Sequence, residues 1–220
     1  MFNFAHMDKN AYKDAIYGQV AQLARGLSNP HRLEMLDLLA NGAKTVEQLA
    51  RAARISTANA SQHLQVLKHA RLVRSLRKGH FIYYSLSSPA VYGVVKAFRE
   101  LAIAQHADTR STIEDFRKQY QSEQTLTLEA ALGLEDVCLI DVRPVEEFEQ
   151  GAIPGAVSVP IAELEERVWE LPTDKLIVAY CRGTACTYAD EAVKLLRGRG
   201  FRAARIEETY MDYLMQEQGK

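Results

Sequence analysis

Apolar and polar positions follow two rhythms along this chain. Over residues 9–27, Ala11, Ala15, Ile16, Val20, Leu23, Ala24 and Leu27 recur at helical spacing and predict an amphipathic helix. Asn29-Pro30 restarts the chain with a good capping residue and a residue suited to the first helical position. Leu33, Leu36, Leu39 and Ala40 form the inner face of a second helix, which Asn41-Gly42 ends. Thr45 to Gln48 reads as a capping box for a short third helix carrying Val46, Leu49 and Ala50. Ser56 caps a fourth helix, whose inward residues are Ala60, Leu64 and Leu67. The period then shortens. Residues 72–76 and 81–86 predict two strands around Arg77-Lys78-Gly79-His80, a hairpin with glycine in its turn. Ser88-Pro89 introduces one long helical stretch from Ala90 to Tyr120, and its polar part from Gln105 is expected to hold the connection between two domains.

From Leu126 onward the pattern differs. Val137 to Ile140 is a short continuous apolar run, as in a strand buried on both faces. Residues 157–159, 176–180 and 202–206 predict further strands, with helical segments between them. Such alternation indicates a parallel α/β sheet. The expected fold class is therefore two domains: a mainly-α winged helix-turn-helix over 1–105, a helical connector over 106–125, and an α/β domain with a parallel sheet over 126–220.

Charge sharpens this division. The chain has 220 residues and a net charge of −1, yet residues 1–110 carry +8 and residues 111–220 carry −9. A basic half points to an anionic partner for that half, the plainer alternative being electrostatic pairing of the two domains. No apolar run approaches the ~20 residues of a membrane span, and the opening residues lack the basic-then-apolar order of a signal peptide. A cytoplasmic protein is expected. Three cysteines, Cys138, Cys181 and Cys186, are too few and too unevenly placed for a disulfide framework.

In the basic half, the order helix, turn, helix and basic hairpin predicts a contact with double-stranded DNA. With Ala60, Leu64 and Leu67 turned inward, the fourth helix presents Thr57, Asn59, Ser61 and Gln62 near its amino end, and such side chains suit base edges in the major groove. Arg74, Arg77, Lys78 and His80 on the hairpin suit phosphates or a minor groove. His63 lies beside the apolar face, where it either touches DNA or completes the core. Residues Leu27–Leu33, Ser56–Leu64, Leu72-Val73, Gly79 and Tyr83–Leu86 closely resemble ArsR-type repressors. The resemblance implies a homodimer formed through terminal helices, here 9–27 and 90–105. Many members sense metals, but Val46–Arg54 holds no thiol, and Glu100 and His106 do not stack on one helical face. No metal and no cofactor is expected.

The acidic half centres on Ile177 to Tyr188, where an apolar strand runs into Cys181 and a helix follows. A cysteine at the end of a buried strand, facing a helix amino end, is expected to have a lowered pKa. Arg182 to Thr187 can curl around it, so that the N–H groups of Gly183, Thr184, Ala185 and their neighbours form an anion-binding nest. Gly183 permits backbone angles that a bulkier residue resists. Arg182 is expected to add a positive field or attract an anionic donor.

Leu139–Arg143, Glu147-Phe148, Gly151–Val157, Pro160 and the Cys181 loop resemble a rhodanese domain. That resemblance implies a cysteine that accepts sulfane sulfur as a persulfide and passes it to an acceptor thiol. Asp141 and Arg143 then either pin the loops framing the cup or form an ordinary ion pair. Two departures stand out. Cys186 occupies the place of the usual loop arginine, which puts thiosulfate turnover in doubt, and Thr187 leaves no Cys-x5-Arg phosphatase pattern. Cys186 either resolves a modified Cys181 into a disulfide or fills space. Thr209 stands where a glycine is usual, and Tyr213 is expected at a tryptophan position. Cys138 is expected to be inert in its core strand.

The expected function is a transcriptional repressor whose second domain senses or transfers sulfane sulfur. The alternative is a sulfurtransferase that the DNA-binding half only localises.

Overall fold

The structure is a computed structural model that describes residues 8–218. The opening stretch read for a signal peptide lies outside the described residues. The chain gathers into two compact units, Met1–Val95 and Lys96–Lys220.

In the first unit, α1 (Lys9–Leu27), α2 (Pro30–Ala40), β1 (Lys44–Thr45), α3 (Val46–Ala52), α4 (Thr57–His69), β2 (Val73–Lys78) and β3 (Phe81–Leu86) follow in order. The caps foreseen in the sequence start the helices. Asn29 accepts the Arg32 N–H at 3.2 Å and Ser56 accepts the Asn59 N–H at 3.2 Å. Thr45 and Gln48 exchange both bonds of a capping box, at 3.4 and 2.8 Å. Each cap satisfies donors that the first helical turn leaves orphaned. The strands form an antiparallel sheet of order β1-β3-β2, with Leu76 opposite Tyr83 and Lys78 opposite Phe81. Gly79 turns the hairpin at φ +60°. Met35, Leu36, Leu49, Leu64 and Leu67 are almost wholly buried and make the core. On α1, by contrast, Tyr12, Ile16, Tyr17 and Val20 remain exposed.

The stretch expected as one helix from Ala90 to Tyr120 is two: α5 (Pro89–Gln105) and α6 (Ala107–Tyr120). His106 between them is extended, with φ −110° and ψ 106°. The Arg110 guanidinium reaches back to the Ala104 carbonyl at 3.1 Å and satisfies an acceptor that the end of α5 leaves open. Apolar periodicity continues through such a break and does not reveal it.

The second unit continues with β4 (Thr125–Leu126), α7 (Leu128–Leu132), β5 (Val137–Asp141), α8 (Val145–Phe148), β6 (Val157–Ser158), α9 (Leu164–Arg167), β7 (Leu176–Tyr180), α10 (Tyr188–Gly198), β8 (Ala203–Ile206) and α11 (Tyr210–Gln218). Its sheet has order β4-β8-β7-β5-β6, and every pairing is parallel. Apolar side chains cover both faces, as a parallel sheet requires. Ile140, Ile177, Ala179 and Cys181 pack with Ala192, Val193 and Leu196 of α10 on one face, and Leu139, Val178, Tyr180 and Ile206 pack with Leu128 of α7 on the other. β7 is the middle strand, so the residue after its last position emerges between two helix-bearing layers. That residue is Cys181.

Candidate functional site

Two groups of side chains answer to the sequence reading, one in each unit. On α4, Thr57, Asn59 and Gln62 are exposed, whereas Ser61 is half-buried. His63 is also half-buried, with its ring 5.7 Å from that of His31. Desolvation, helped by Arg32 and His31, holds the His63 pKa below its ordinary value. His63 thus sits on the partly packed flank of the helix, beside its outward face. Arg74, Arg77, Lys78 and His80 are all exposed on the hairpin. Their contacts stay local: Arg74 Nε donates to Ser85 Oγ at 3.1 Å, Arg77 Nε donates to the Gly79 carbonyl at 3.2 Å, and Lys78 Nζ lies 5.7 Å from the Tyr83 ring centroid.

The second group surrounds the loop from β7 to α10. Gly183 has φ +98°, and a Cβ there would come within 3.2 Å of Thr209 Cγ2. The backbone angle favours glycine here, and a Cβ would in addition crowd Thr209. Thr209 in turn bonds Asp212 through its N–H at 2.8 Å and its hydroxyl at 3.1 Å, which starts α11 without the expected glycine turn. The Cys186 N–H bonds the Gly183 carbonyl at 3.1 Å and folds the loop tightly. Thr184 Oγ1 donates to Glu207 at 3.0 Å, and Glu207 pairs with Arg117 of α6 at 2.5 Å. Thr187 Oγ1 donates to Glu191 at 2.6 Å, and Ala185 lies exposed in the loop.

The two loop thiols occupy unlike environments. Cys181 is 1% exposed within the apolar cluster, and its S–H donates to the Cys186 carbonyl at 3.6 Å. Burial pushes its pKa well above the ordinary thiol value, and neighbouring Cys186 adds to the rise. Cys186 is half-buried, and its pKa is lowered to about 7, chiefly by a hydrogen bond from Cys181, with backbone N–H groups of Arg182 and Tyr188 and the Arg182 charge adding to it. The expected anion on Cys181 is therefore corrected: the sulfur that favours the charged form is Cys186. Inward donors exist, but they are divided. Arg182 and Tyr188 serve Cys186, Ala189 serves Cys181, and the N–H of Cys186 is spent within the loop.

Arg182 is likewise not a free cation. Its guanidinium holds the buried Glu147 carboxylate of α8 through Nε at 2.9 Å and Nη2 at 2.8 Å, and stacks 5.1 Å from the Tyr188 ring centroid. Asp141 and Arg143 are both fully buried and paired at 2.5 Å. Arg143 also donates to the Gly151 carbonyl at 2.8 Å, while the Tyr180 hydroxyl donates to Asp141 at 2.6 Å and accepts the Ile153 N–H at 3.1 Å. This network clamps the 151–153 segment against the ends of β5 and β7. Cys138 is half-buried in β5, and desolvation raises its pKa, an arrangement that keeps a thiol unreactive. Among the described residues, no group of three or more His, Cys, Asp or Glu converges on a metal position, and no helix is long and apolar enough to cross a membrane.

Comparison with known proteins matches residues 29–75 to the arsR family of bacterial regulatory proteins and residues 125–213 to the rhodanese-like domain. The HTH-type transcriptional regulator Rv0324 of Mycobacterium tuberculosis is 37% identical over 204 residues, covering 91% of this chain and 89% of that protein. The chain is an arsR-family transcriptional regulator with a rhodanese domain. A sulfurtransferase of Allochromatium vinosum is 39% identical to this regulator over 66 residues, 30% of this chain and 62% of that protein. The solution structure of the homodimeric winged helix-turn-helix domain of Mb0332 from Mycobacterium bovis is 34% identical, covering 49% of the regulator and 94% of that chain with a TM-score of 0.41.

Within the regulator, the structure brings Cys181, Arg182 and Cys186 together in one loop and places Asp141 and Arg143 beneath the neighbouring strand ends. Sequence reasoning missed Asp190 and Arg205, a buried ion pair between α10 and β8 that also takes a 2.6 Å hydrogen bond from Ser122. Arg205 is the one charge inside the otherwise apolar run Ala203–Ile206. A charge at an inward strand position was the available signal.

Proposed function

We propose that this regulator reads sulfane sulfur at its Cys181–Cys186 pair and alters its hold on a DNA operator in response. The observation carrying this reading is the juxtaposition of two unlike thiols, a half-buried Cys186 poised as thiolate and a buried Cys181 whose S–H faces it. The Cys186 thiolate attacks the outer sulfur of a small persulfide or polysulfide. The donor's S–S bond breaks, its thiol leaves, and Cys186 carries the persulfide. Cys181 then attacks the inner sulfur of that persulfide. The bond to the transferred sulfur breaks, and hydrosulfide leaves with the proton that Cys181 sheds. In sum, two protein thiols and one R–S–SH become one disulfide, one R–SH and one hydrogen sulfide.

A path from the loop to the connector supports a regulatory outcome. Thr184 bonds Glu207, and Glu207 pairs with Arg117 on α6, so a loop reshaped by a disulfide pulls on that helix. In the first unit, Thr57, Asn59, Ser61 and Gln62 face base edges, while Arg74, Arg77, Lys78 and His80 engage the phosphates of the duplex. His63 supports the helix from its flank. The exposed apolar residues of α1 and α5, Ile16, Tyr17, Val20, Val94, Phe98 and Leu101, form the faces that a second copy covers. The protein acts as a homodimeric repressor.

Intact mass and mobility-shift measurements on the same polysulfide-treated sample test this reading. We expect loss of two hydrogens together with a change in operator affinity, both abolished in Cys181→Ser and Cys186→Ser. Operator affinity indifferent to sulfane sulfur overturns the sensor. Sustained thiosulfate turnover with unchanged DNA binding installs the sulfurtransferase in its place.

A further inference from the structure

Arg205 is fully buried, and its guanidinium is only partly used. Nη1 pairs with Asp190 of α10, whose carboxylate also takes the Ser122 hydroxyl, whereas Nε and Nη2 are buried without a hydrogen-bond partner among the described residues. Buried donors of a cation are costly to leave unmade. Their position is informative. Arg205 lies opposite Ala179 in the β7–β8 register, and alternation along β8 puts its side chain on the face of Ala203, which belongs to the cluster holding Ala179 and Cys181. Asp190 directly follows Ala189, whose N–H points at the Cys181 sulfur. The guanidinium and that sulfur thus share one wall of the buried layer between sheet and α10.

We propose that Arg205 is the counter-cation of the sulfur pocket, its free Nε–H and Nη2–H taking up the sulfur anion that forms on Cys181 when the pair reacts. The inference rests on the reading of Cys181 and Cys186 as the sulfur site, and it supplies what that reading lacks. The second step needs Cys181 as a thiolate, and burial opposes that charge. The charged groups facing Cys181 are few: Cys186 on its own loop opposes ionisation, Asp190 on α10 is neutralised by its ion pair, and Arg205 on β8 favours ionisation. Arg182 is held by Glu147, and the loop arginine usual in rhodanese domains is Cys186 here. A cation from the sheet floor replaces one from the loop.

The test reads Cys181 ionisation without any sulfur donor, so it stands apart from the sensor experiment. In a Cys138→Ala/Cys186→Ser background of the full chain, Cys181 is the sole thiol, and its thiolate absorbance is followed against pH. The charge-neutral pair Asp190→Asn/Arg205→Gln removes the cation without stranding the carboxylate. We expect at least a tenfold smaller thiolate fraction at any pH below the midpoint. Arg205→Lys keeps a charge for Asp190 but cannot also reach the sulfur, and we expect a smaller shift in the same direction. If the neutral pair does not fold, Arg205→Lys decides, because an unshifted midpoint in whichever variant folds overturns the proposal. In the unmutated Arg205 background, the Arg205 Nε–H resonance is expected to move with the Cys181 titration, and a resonance indifferent to it likewise overturns the proposal.

Discussion

The winged unit and the rhodanese unit place their working groups in opposite ways. On α4 and the hairpin the polar and basic side chains stand in solvent, anchored by caps and by an apolar core behind them. Around Cys181 they are buried, and almost every charge is answered by another: Asp141 by Arg143, Glu147 by Arg182, Asp190 by Arg205. A surface that meets DNA keeps its cations solvated until phosphates replace water. In a buried layer of low dielectric each unpaired charge is expensive, and pairing offsets that cost. Substitutions should therefore act on binding in the first unit and on folding or sulfur ionisation in the second.

The largest expected effect is Asp141→Ala, which strands the buried Arg143 guanidinium and releases the Tyr180 clamp. Breaking such a pair costs about 3–5 kcal/mol, and a denaturant melt of the full chain should show it with the operator-binding surface untouched. A loss under 1 kcal/mol would break the contrast. Next, Gln62→Ala should leave the melt unchanged and cost about 1–3 kcal/mol of discrimination at one base position, read by binding to operator variants. Arg77→Ala should instead weaken all sequences alike and lower the salt slope by about 1.

Cys186 offers a sharper test within the second unit. Its pKa is lowered to about 7, so alkylation should rise through a midpoint near pH 7 and fall about tenfold per unit below it. Cys181 should stay unreactive across that range, because its pKa moves upward. The sign for stability follows: the depressed Cys186 value favours the folded state above the unfolded thiol pKa, and that contribution fades as pH falls through about 7. Equal reactivity of the two thiols would erase the distinction between them. The smallest effect belongs to Thr45→Ala, which removes half of a capping box and should cost about 1 kcal/mol in a thermal melt.

Local chemistry was legible where one residue acts through its neighbours in sequence. Asn29, Thr45 and Ser56 start their helices through bonds three residues long, and Gly79 and Gly183 turn the chain where positive φ is required. The same locality explains the error at His106, where a helix break rests on a guanidinium reaching back from Arg110 and leaves apolar periodicity intact.

By itself, the order of residues determined two domains of different class, an amphipathic reader helix with a basic hairpin, and a cysteine loop between a buried strand and a helix. These follow from periodicities and caps that act over a few residues. Which cysteine favours the charged form, where Arg182 is spent, and that a buried Arg205 lies level with Ala179 in the sheet were decided only by tertiary structure. Desolvation and ion pairing depend on groups brought together from β5, α8, α10 and β8, and sequence spacing carries no record of the depth at which they meet.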